Sequence, residues 1–229
     1  MDRRAEPELM NTKDQVDSYS EADFSKGETK FVQLIKNYLE KSNIHLSHHD
    51  LIVDLGCGPG NISEKLCIEW PNTTVIGIDG SKEMIQKANI RKNLQKKPLN
   101  NLNYLCEDIK KIKLADISDK KQINLLVSNS FIHHLTHINE FFECIISLSG
   151  EKTMNFHKDL IRPTNKKIAL ELKAKCASKY NETLTSDYYA SLQASYRADE
   201  LRKLILEKNL IHLDVLEEDK EYLILYGSV

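Results

Sequence analysis

The sequence of this 229-residue chain predicts an α/β fold, with a mostly parallel sheet and helices on both of its faces. Three observations predict it. Short apolar runs alternate with amphipathic helical segments, glycines cluster directly after the first of these runs, and the chain closes with two strand-like segments. Alternation of this kind is typical of stacked strand–helix–strand units, whose strands lie parallel.

The alternation assigns each element to a range. Strands are predicted at 51–56, 73–79, 101–109, 123–131 and 152–160, the last with the least distinct boundaries. Helices with one apolar face are predicted at 61–70, 81–95 and 137–148, and Ser81 is the expected N-cap of the second. After Pro163 a long helical stretch ends at 198–210, and 211–227 is predicted to form an antiparallel hairpin with EEDK at its turn. We therefore expect seven strands.

Composition and charge exclude several classes of protein. The 41% hydrophobic content excludes a wholly disordered chain, and a net charge of −2 gives no broad basic surface for nucleic acid. No apolar run is long enough to span a membrane, and the opening MDRRAEPELMNTKDQ lacks the apolar core of a signal peptide. The 5 cysteines form no CxxC pair, so we expect reduced thiols in a cytoplasmic protein rather than disulfides or a zinc site.

A glycine cluster, VDLGCGPG, follows the first predicted strand. Gly56, Gly58 and Gly60 stand between this strand and a helix, where glycine permits a positive φ and lets a ligand approach the bare backbone. An ordinary tight turn is the alternative interpretation. The second strand ends in Asp79, 23 positions after Gly56, where a carboxylate can accept hydrogen bonds from ribose hydroxyls. Together these features predict an adenosine-type ligand.

The spacing of the glycines distinguishes between nucleotide ligands. A dinucleotide site has the pattern GxGxxG and binds a pyrophosphate, whereas this chain has GxGxG preceded by Asp54. A carboxylate at that position suits a ligand with an ammonium group better than one with a pyrophosphate.

The stretch DLGCGPG resembles motif one of the class I S-adenosylmethionine (SAM)-dependent methyltransferases. Asp79 matches that family's acidic residue on the second strand, CEDI (106–109) its segment after the third strand, and LLVSNSFIHHL (125–135) its fourth strand and exit. The resemblance implies a Rossmann-like seven-stranded sheet, SAM as cofactor and S-adenosylhomocysteine (SAH) as product. The cofactor-binding residues it implies are Tyr19, Asp54, Gly56, Cys57, Gly58, Gly60, Asp79, Gly80, Ser81, Met84, Asp108, Ile109, Ser128 and Asn129.

Three further stretches resemble a subgroup of small methyltransferase-domain proteins: QVDSYSEADF (15–24), HKDLIRP (157–163) and DYYASLQASYRADEL (187–201). The resemblance implies an N-terminal helical lid, with Tyr19 closing over the cofactor. We accordingly expect a single domain, 1–229, with four parts: a lid at 1–45, a cofactor-binding core at 46–160, a helical substrate cover at 161–210 and a closing hairpin at 211–229.

Histidines near the ends of the fourth and fifth strands are the catalytic candidates. His133, His134 and His157 are each able to titrate near neutrality, which suits a general base. The alternative is that these side chains are merely packed or solvated. A metal pair of His133 with His137, four positions apart, is a weaker alternative because no carboxylate or cysteine joins it at a known ligand spacing, so no metal is expected.

Two residues are candidates for binding a substrate. Arg162 is able to clamp a carboxylate or phosphate with parallel hydrogen bonds, and Tyr189 belongs to the predicted helical cover. The structural alternatives are an ion pair between Arg162 and Asp159, and an aromatic stripe that forms part of the core.

The function predicted from these features is methyl transfer from SAM to a small molecule. An RNA or protein methyltransferase is the alternative, and a catalytically silent SAM-binding partner subunit is a third. The near-neutral charge and the absence of a paired-proline motif after the fourth strand argue against a nucleic-acid substrate. No membrane insertion is expected, and neither the acceptor nor the oligomeric state follows from the sequence.

Overall fold

The structure, a computed structural model, describes residues 1–7, 9–10, 12–117 and 122–229. A seven-stranded sheet with the order β3-β2-β1-β4-β5-β7-β6 lies at its centre. The strands are β1 Leu51–Leu55, β2 Thr74–Asp79, β3 Leu102–Cys106, β4 Leu125–Asn129, β5 Met154–Leu160, β6 Leu213–Glu217 and β7 Tyr222–Ser228. Every predicted strand is present.

Strand direction follows the prediction as well. The first five strands pair in parallel, β5 pairs antiparallel with β7, and β7 pairs antiparallel with β6. The predicted turn EEDK joins the last two strands, which confirms the closing hairpin. The Rossmann-like prediction is therefore confirmed. Because β1 pairs with both β2 and β4, the chain changes direction across the sheet there, and ligands bind beyond the carboxyl ends of strands at such a switch point.

Helices cover both faces of the sheet. They are α1 Lys13–Glu21, α2 Ser25–Lys41, α3 Asn61–Glu69, α4 Lys82–Leu94, α5 Leu114–Ile117, α6 Ile138–Leu148, α7 Lys166–Ala177, α8 Glu182–Ala194 and α9 Ala198–Glu207, with a 3₁₀ turn, η1, at Ile132–His134. On one face, Phe31 and Ile35 of α2 are fully buried against β1 and β4; on the other, Phe141 of α6 and Leu201 of α9 fill the core. Burial of these apolar side chains holds the helices to the sheet.

The segments flanking the sheet meet above its carboxyl edge. Helix α1 lies against α8, and the Gln15 side chain donates a hydrogen bond to Asp187 at 3.2 Å. The stretch after Pro163 forms three helices, α7 to α9, before the last two strands. Within the described ranges, no helix is both long and apolar enough to cross a bilayer.

Candidate functional site

The glycine loop at the end of β1 has a left-handed backbone at three positions. The φ angles of Gly56, Gly58 and Gly60 are +66°, +53° and +87°. A Cβ on Gly56 would lie 2.1 Å from the ring of Phe131, and a Cβ on Gly60 would lie 2.2 Å from the Tyr104 hydroxyl oxygen, whereas one on Gly58 would meet nothing within 4 Å. Packing beneath the loop therefore requires glycine at its two ends, and its middle presents bare backbone to open space.

Asp79, at the end of β2, holds this loop in place. Its carboxylate accepts a hydrogen bond from the Gly58 N–H at 2.8 Å and another from the Ser81 N–H at 2.8 Å. Burial raises the pKa of Asp79, while these two backbone donors lower it. A carboxylate has about four acceptor positions, so two remain for hydroxyl groups of a ligand. Asp79 thus joins the glycine loop to the start of α4 and keeps the capacity predicted for it.

Asp54 lies inside β1 and is 1% exposed. The Ser63 hydroxyl donates a hydrogen bond to it at 2.6 Å, and no cationic side chain of the described residues pairs with it. Burial, reinforced by the nearby charge of Asp79, raises the pKa of Asp54 to about 7. A buried carboxylate without a counter-ion favours the approach of a cation, and a ligand ammonium group would supply one.

Tyr19 of α1 lies close enough to Asp54 and Asp79 for their charges to act on it. Burial, together with the charges of Glu28, Asp79 and Asp54, raises its pKa to about 12. Its ring centroid is 4.9 Å from that of Phe24, which in turn is 5.3 Å from that of Tyr180. These tilted aromatic contacts join Tyr19 to the start of α2 and to the residues before α8.

The remaining predicted cofactor residues occupy varied surroundings. Ser81 caps α4, since its hydroxyl accepts the Met84 N–H at 3.3 Å. Asp108 accepts the Lys110 N–H at 3.0 Å just beyond β3, and Asn129 ends β4 at the carboxyl edge. Ser128, by contrast, is fully buried, and its hydroxyl lies 3.0 Å from His157 Nδ1. That contact favours a packing role for Ser128.

Cys57, Gly80, Met84 and Ile109 complete the predicted cofactor set. Cys57, Met84 and Ile109 are buried, and burial raises the pKa of the Cys57 thiol. Gly80 lies beneath Leu9, whose Cδ2 would be 3.0 Å from a Cβ added there. The first ten residues thus reach the loop after β2.

The N-terminal segment, the first ten residues, belongs to the predicted lid at 1–45, but no motif marks it and none of its residues was named as a site residue. Ser81 donates its hydroxyl hydrogen to the Met10 carbonyl at 3.3 Å, and Arg3 donates to the carbonyls of Ala194 at 2.6 Å and Leu135 at 2.7 Å. The segment therefore links the cofactor side of the cleft to α8 and η1.

His133 is buried and bonded through Nδ1 to Asp159. Burial lowers its pKa, but the charge and hydrogen bond of Asp159 together with the charge of Glu6 outweigh burial and raise it, and His133 in turn lowers the pKa of Asp159. The other Asp159 oxygen accepts the N–H groups of Phe131 at 3.1 Å and Ile132 at 2.6 Å. Asp159 thus orients η1 and engages His133 Nδ1.

His134 and Glu6, both partly buried, lie side by side. His134 Nδ1 lies 3.1 Å from Glu6 Oε1 but makes no hydrogen bond. Burial lowers the pKa of His134 to about 3 and raises that of Glu6 to about 7. His134 is accordingly a weak base at neutral pH.

Among the described residues, Glu6, His133 and His134 each offer one side-chain atom that is able to ligate a metal. These three atoms all lie within 4.8 Å of one another. His137, considered as a partner of His133 from the sequence, is instead exposed at the N-cap of α6. Glu6 Oε1 lies 3.6 Å from His133 Nε2 and 3.1 Å from His134 Nδ1.

His157 lies in the middle of β5 rather than near its end. It is fully buried, its Nδ1 faces Ser128 at 3.0 Å and its Nε2 faces Asn155 at 3.2 Å. Burial lowers its pKa to about 3. A neutral ring with both nitrogens engaged favours a core role over proton transfer.

The two predicted substrate residues also have partners within the protein. Arg162 is 3% exposed and pairs with Glu200, not with Asp159 as the structural alternative expected; its guanidinium also donates to the Ser195 carbonyl at 2.9 Å. Tyr189 is partly buried on α8, and the Lys173 ammonium lies 5.1 Å from its ring centroid. Arg162 thus ties the end of β5 to α9, which favours a structural role.

Comparisons with known proteins place this geometry in a family. The family model described as "Methyltransferase domain" matches residues 46–205. A trans-aconitate 2-methyltransferase of Rhodopseudomonas palustris (strain HaA2) is 49% identical over 45 residues, which cover 20% of this chain and 18% of that protein. A malonyl-[acyl-carrier protein] O-methyltransferase of Bacillus cytotoxicus is 30% identical over 125 residues, which cover 54% of this chain and 38% of that protein.

A solved structure extends the likeness along the chain. The plantazolicin methyltransferase BpumL, in complex with a triazolic desmethylPZN analog and SAH, has a TM-score of 0.68 at 17% identity and covers 95% of this chain and 92% of that one. This likeness concerns the fold, and the chain spans well under half the length of the two curated relatives it matches. Because the family model spans more than half of the sequence, the chain belongs to the methyltransferase-domain family.

Proposed function

We propose that this protein is a SAM-dependent methyltransferase whose acceptor is a small molecule. The observation that carries the proposal is the carboxyl edge of β1 and β2, where the bare Gly58 backbone is hydrogen-bonded to the half-buried Asp79 and the buried Asp54 lies in β1. Such a site accepts a ligand with a cationic group and ribose hydroxyls, and SAM has both. The family membership and the SAH-bound structural neighbour support the same cofactor.

Each residue has one task in the proposed complex. Asp79 accepts the ribose hydroxyls, Asp54 provides negative charge for the amino group, and Asp108 with Ile109 borders the adenine. Asn129 and Tyr19 border the methionine end, where Tyr19 excludes water. The residues present therefore fit the cofactor.

SAM supplies a methyl group already activated on a sulfonium, so the chain's task is to position the acceptor for in-line displacement. Correct alignment of two reactants lowers a barrier by on the order of 7–11 kcal/mol. Two elements close the cleft from above in this proposal. They are the tilted aromatic rings of Tyr19, Phe24 and Tyr180, and the N-terminal segment. A closed cleft keeps water from competing with the acceptor.

The acceptor itself is proposed to be a compact molecule. The printed names of the relatives refer to trans-aconitate and a malonyl group, and that of the structural neighbour to plantazolicin. In this chain, α8 and the residues around Glu6 enclose the space beyond η1, which limits the size of what enters. The net charge of −2 gives no support for an RNA substrate.

The proposed activity is tested with SAM bearing a trideuterated methyl group. A cell extract is divided by ultrafiltration into small molecules and macromolecules, and each fraction is incubated with the protein. We expect mass spectrometry to find the label in the small-molecule fraction. Label confined to RNA or protein would contradict a small-molecule acceptor, and SAM binding without transfer to either fraction would contradict an enzyme.

Replacing Asp79 by alanine is expected to weaken SAM binding by at least about tenfold, because each lost charge-assisted hydrogen bond contributes about 1.5–3 kcal/mol. Isothermal titration calorimetry measures the change. Glu69→Ala is the matched control. It removes a surface acid of α3 that pairs with Lys36 of α2, and it should leave the SAM affinity unaltered. An unchanged affinity in Asp79→Ala would refute the ribose assignment.

Adding a methyl group to Gly58 tests the open backbone. Gly58→Ala is expected to weaken SAM binding at least about tenfold, since the new Cβ enters the ligand's space and a left-handed alanine costs roughly 1–2 kcal/mol. Gly27→Ala adds the same group to α2, where nothing lies within 4 Å, and should raise the stability by about 0.5–1 kcal/mol. Equal SAM affinities in the two variants would contradict the account.

Asp54→Asn tests the uncompensated charge. The raised pKa of Asp54, about 7, means that the folded protein holds a proton that the unfolded chain has released, so stability falls as pH rises from about 4 to about 7. At about pH 8 and without SAM, we expect Asp54→Asn to unfold at a higher temperature than the wild type. Its free energy of unfolding should be higher by roughly 1–3 kcal/mol. SAM should then stabilise the variant less than the wild type. Lower stability with an undiminished SAM effect would contradict this role.

A further inference from the structure

Lys158 is a buried cation that sequence reasoning overlooked. It lies on β5 directly opposite Asn129, the last residue of β4, and its carbonyl accepts the Ser130 N–H at 2.8 Å. The carboxyl edge of β4 and β5 adjoins the proposed methionine end of the cofactor. Ligands of open α/β sheets bind at this edge.

The Lys158 ammonium has no counter-ion in contact with it. The residue is 5% exposed, and its Nζ lies 3.3 Å from the centroid of the Tyr222 ring. Among the described residues, no acceptor receives a hydrogen bond from this ammonium and no carboxylate reaches salt-bridge distance. A ring face compensates only part of the cost of burying a cation.

The acids around Lys158 are engaged with other groups. Glu218, in the turn between β6 and β7, pairs with Lys30 of α2 at 2.5 Å. Asp219 lies 3.6 Å from Lys30 and accepts the Tyr222 N–H at 3.0 Å. Asp159, the next residue on β5, is bonded to His133. These neighbours leave the Lys158 ammonium itself without a direct anionic partner.

The pKa of Lys158 is that of a buried cation whose charge is only partly compensated by its neighbours. Burial lowers the pKa of Lys158 to about 8; Lys30 acts in the same direction, while Glu218, Asp219 and Asp159 oppose it. The side chain is therefore mostly protonated at neutral pH and holds its positive charge against the Tyr222 ring, near the carboxyl end of β5.

Other polar groups beside Lys158 also lack partners. The Asn129 side-chain amide and the hydroxyls of Tyr19 and Tyr222 make no hydrogen bond within the described part of the chain. The Tyr222 ring contacts the Lys158 ammonium. Burial is the main cause that raises the pKa of Tyr222, and the charges of Glu221, Asp219 and Tyr19 add smaller contributions. Several donors around one buried cation are typical of a binding site for an oxyanion.

We propose that the methyl acceptor carries an oxyanion, a carboxylate or a phosphate, that binds the Lys158 ammonium beside Asn129 and Tyr222. This inference rests on the proposed methyltransferase function and names the chemical class of its acceptor. The histidines support it, because His133 is bonded to Asp159, His134 is a weak base and His157 is in the core. An acceptor that is already anionic needs less help from a base.

The test begins with the labelled-methyl assay on the small-molecule extract, divided by anion exchange into bound and unbound fractions. We expect the label in the fraction that binds the resin. Alkaline phosphatase treatment of that fraction then distinguishes a phosphate ester, which loses acceptor activity, from a carboxylate, which keeps it. Transfer only into the unbound fraction would overturn the anionic acceptor while leaving the methyltransferase intact.

Lys158→Met then tests the residue itself. We expect it to lower kcat/KM for the anionic acceptor by at least about tenfold, mainly through KM, while the SAM Kd stays within about threefold of the wild type. Lys158→Arg should retain more activity than Lys158→Met, because it keeps the charge. Lys36→Met, which removes a surface cation on α2, is the matched control and should behave as the wild type.

Three results would overturn the role of Lys158. The first is an unchanged kcat/KM for the acceptor in Lys158→Met. The second is a SAM affinity that falls as much as the affinity for the acceptor, which would assign the lysine to the cofactor. The third is a kcat/KM that rises with pH through about 8, which would indicate a base. A bound oxyanion predicts that kcat/KM falls above about pH 8 instead. Absence of any transfer by the wild type, despite SAM binding, would overturn both the proposed function and this inference.

Thermal unfolding separates recognition from a structural role. Because the pKa of Lys158 is lowered in the folded protein, its charge destabilises the fold at neutral pH, and this cost decreases as pH rises from about 8 to about 10. Without acceptor and at about pH 7, Lys158→Met should therefore unfold at the same or a higher temperature than the wild type. A lower unfolding temperature would show that Lys158 serves the fold.

Discussion

Two hydrogen bonds to Asp79 determine the shape of the candidate site. The carboxylate holds the N–H groups of Gly58 and Ser81, and thereby fixes the glycine loop of β1 against the start of α4. Both oxygens of this half-buried carboxylate are engaged by these donors, so the loop and the acid constrain each other. The open backbone at Gly58 belongs to that arrangement.

Asp159 has the corresponding task across the sheet. It binds His133 and the first backbone N–H groups of η1, and so fixes the turn that carries Phe131 onto Gly56. One carboxylate near the end of β2 and one near the end of β5 therefore each organise a loop at the carboxyl edge of the sheet. Lys158 directly precedes Asp159 on β5 and carries the opposite charge.

The sequence predicted what depends on local pattern. Alternating apolar runs predicted the seven strands, and the stretch DLGCGPG with Asp79 carried the resemblance to the methyltransferases. It did not predict pairings that depend on distant residues. Arg162 meets Glu200, 38 positions away, and Ser191 meets Glu6, 185 positions away, which no local spacing encodes.

Side-chain direction explains another difference. β5 ends at Leu160, as the predicted strand 152–160 does, so His157 lies inside the sheet and not at its carboxyl end. Alternation along the same strand separates Lys158 from His157 and Asp159, and the sequence alone does not say which of these faces the cleft. The individual roles of the site residues remain predictions, whereas the fold and the family are confirmed.

The most direct test of the central claim is a crystal structure of the protein with bound SAH. The account predicts the ribose hydroxyls within hydrogen-bond distance of Asp79 and the ligand lying across the bare backbone at Gly58. SAH bound elsewhere, with side chains filling the space above Gly58, would contradict it.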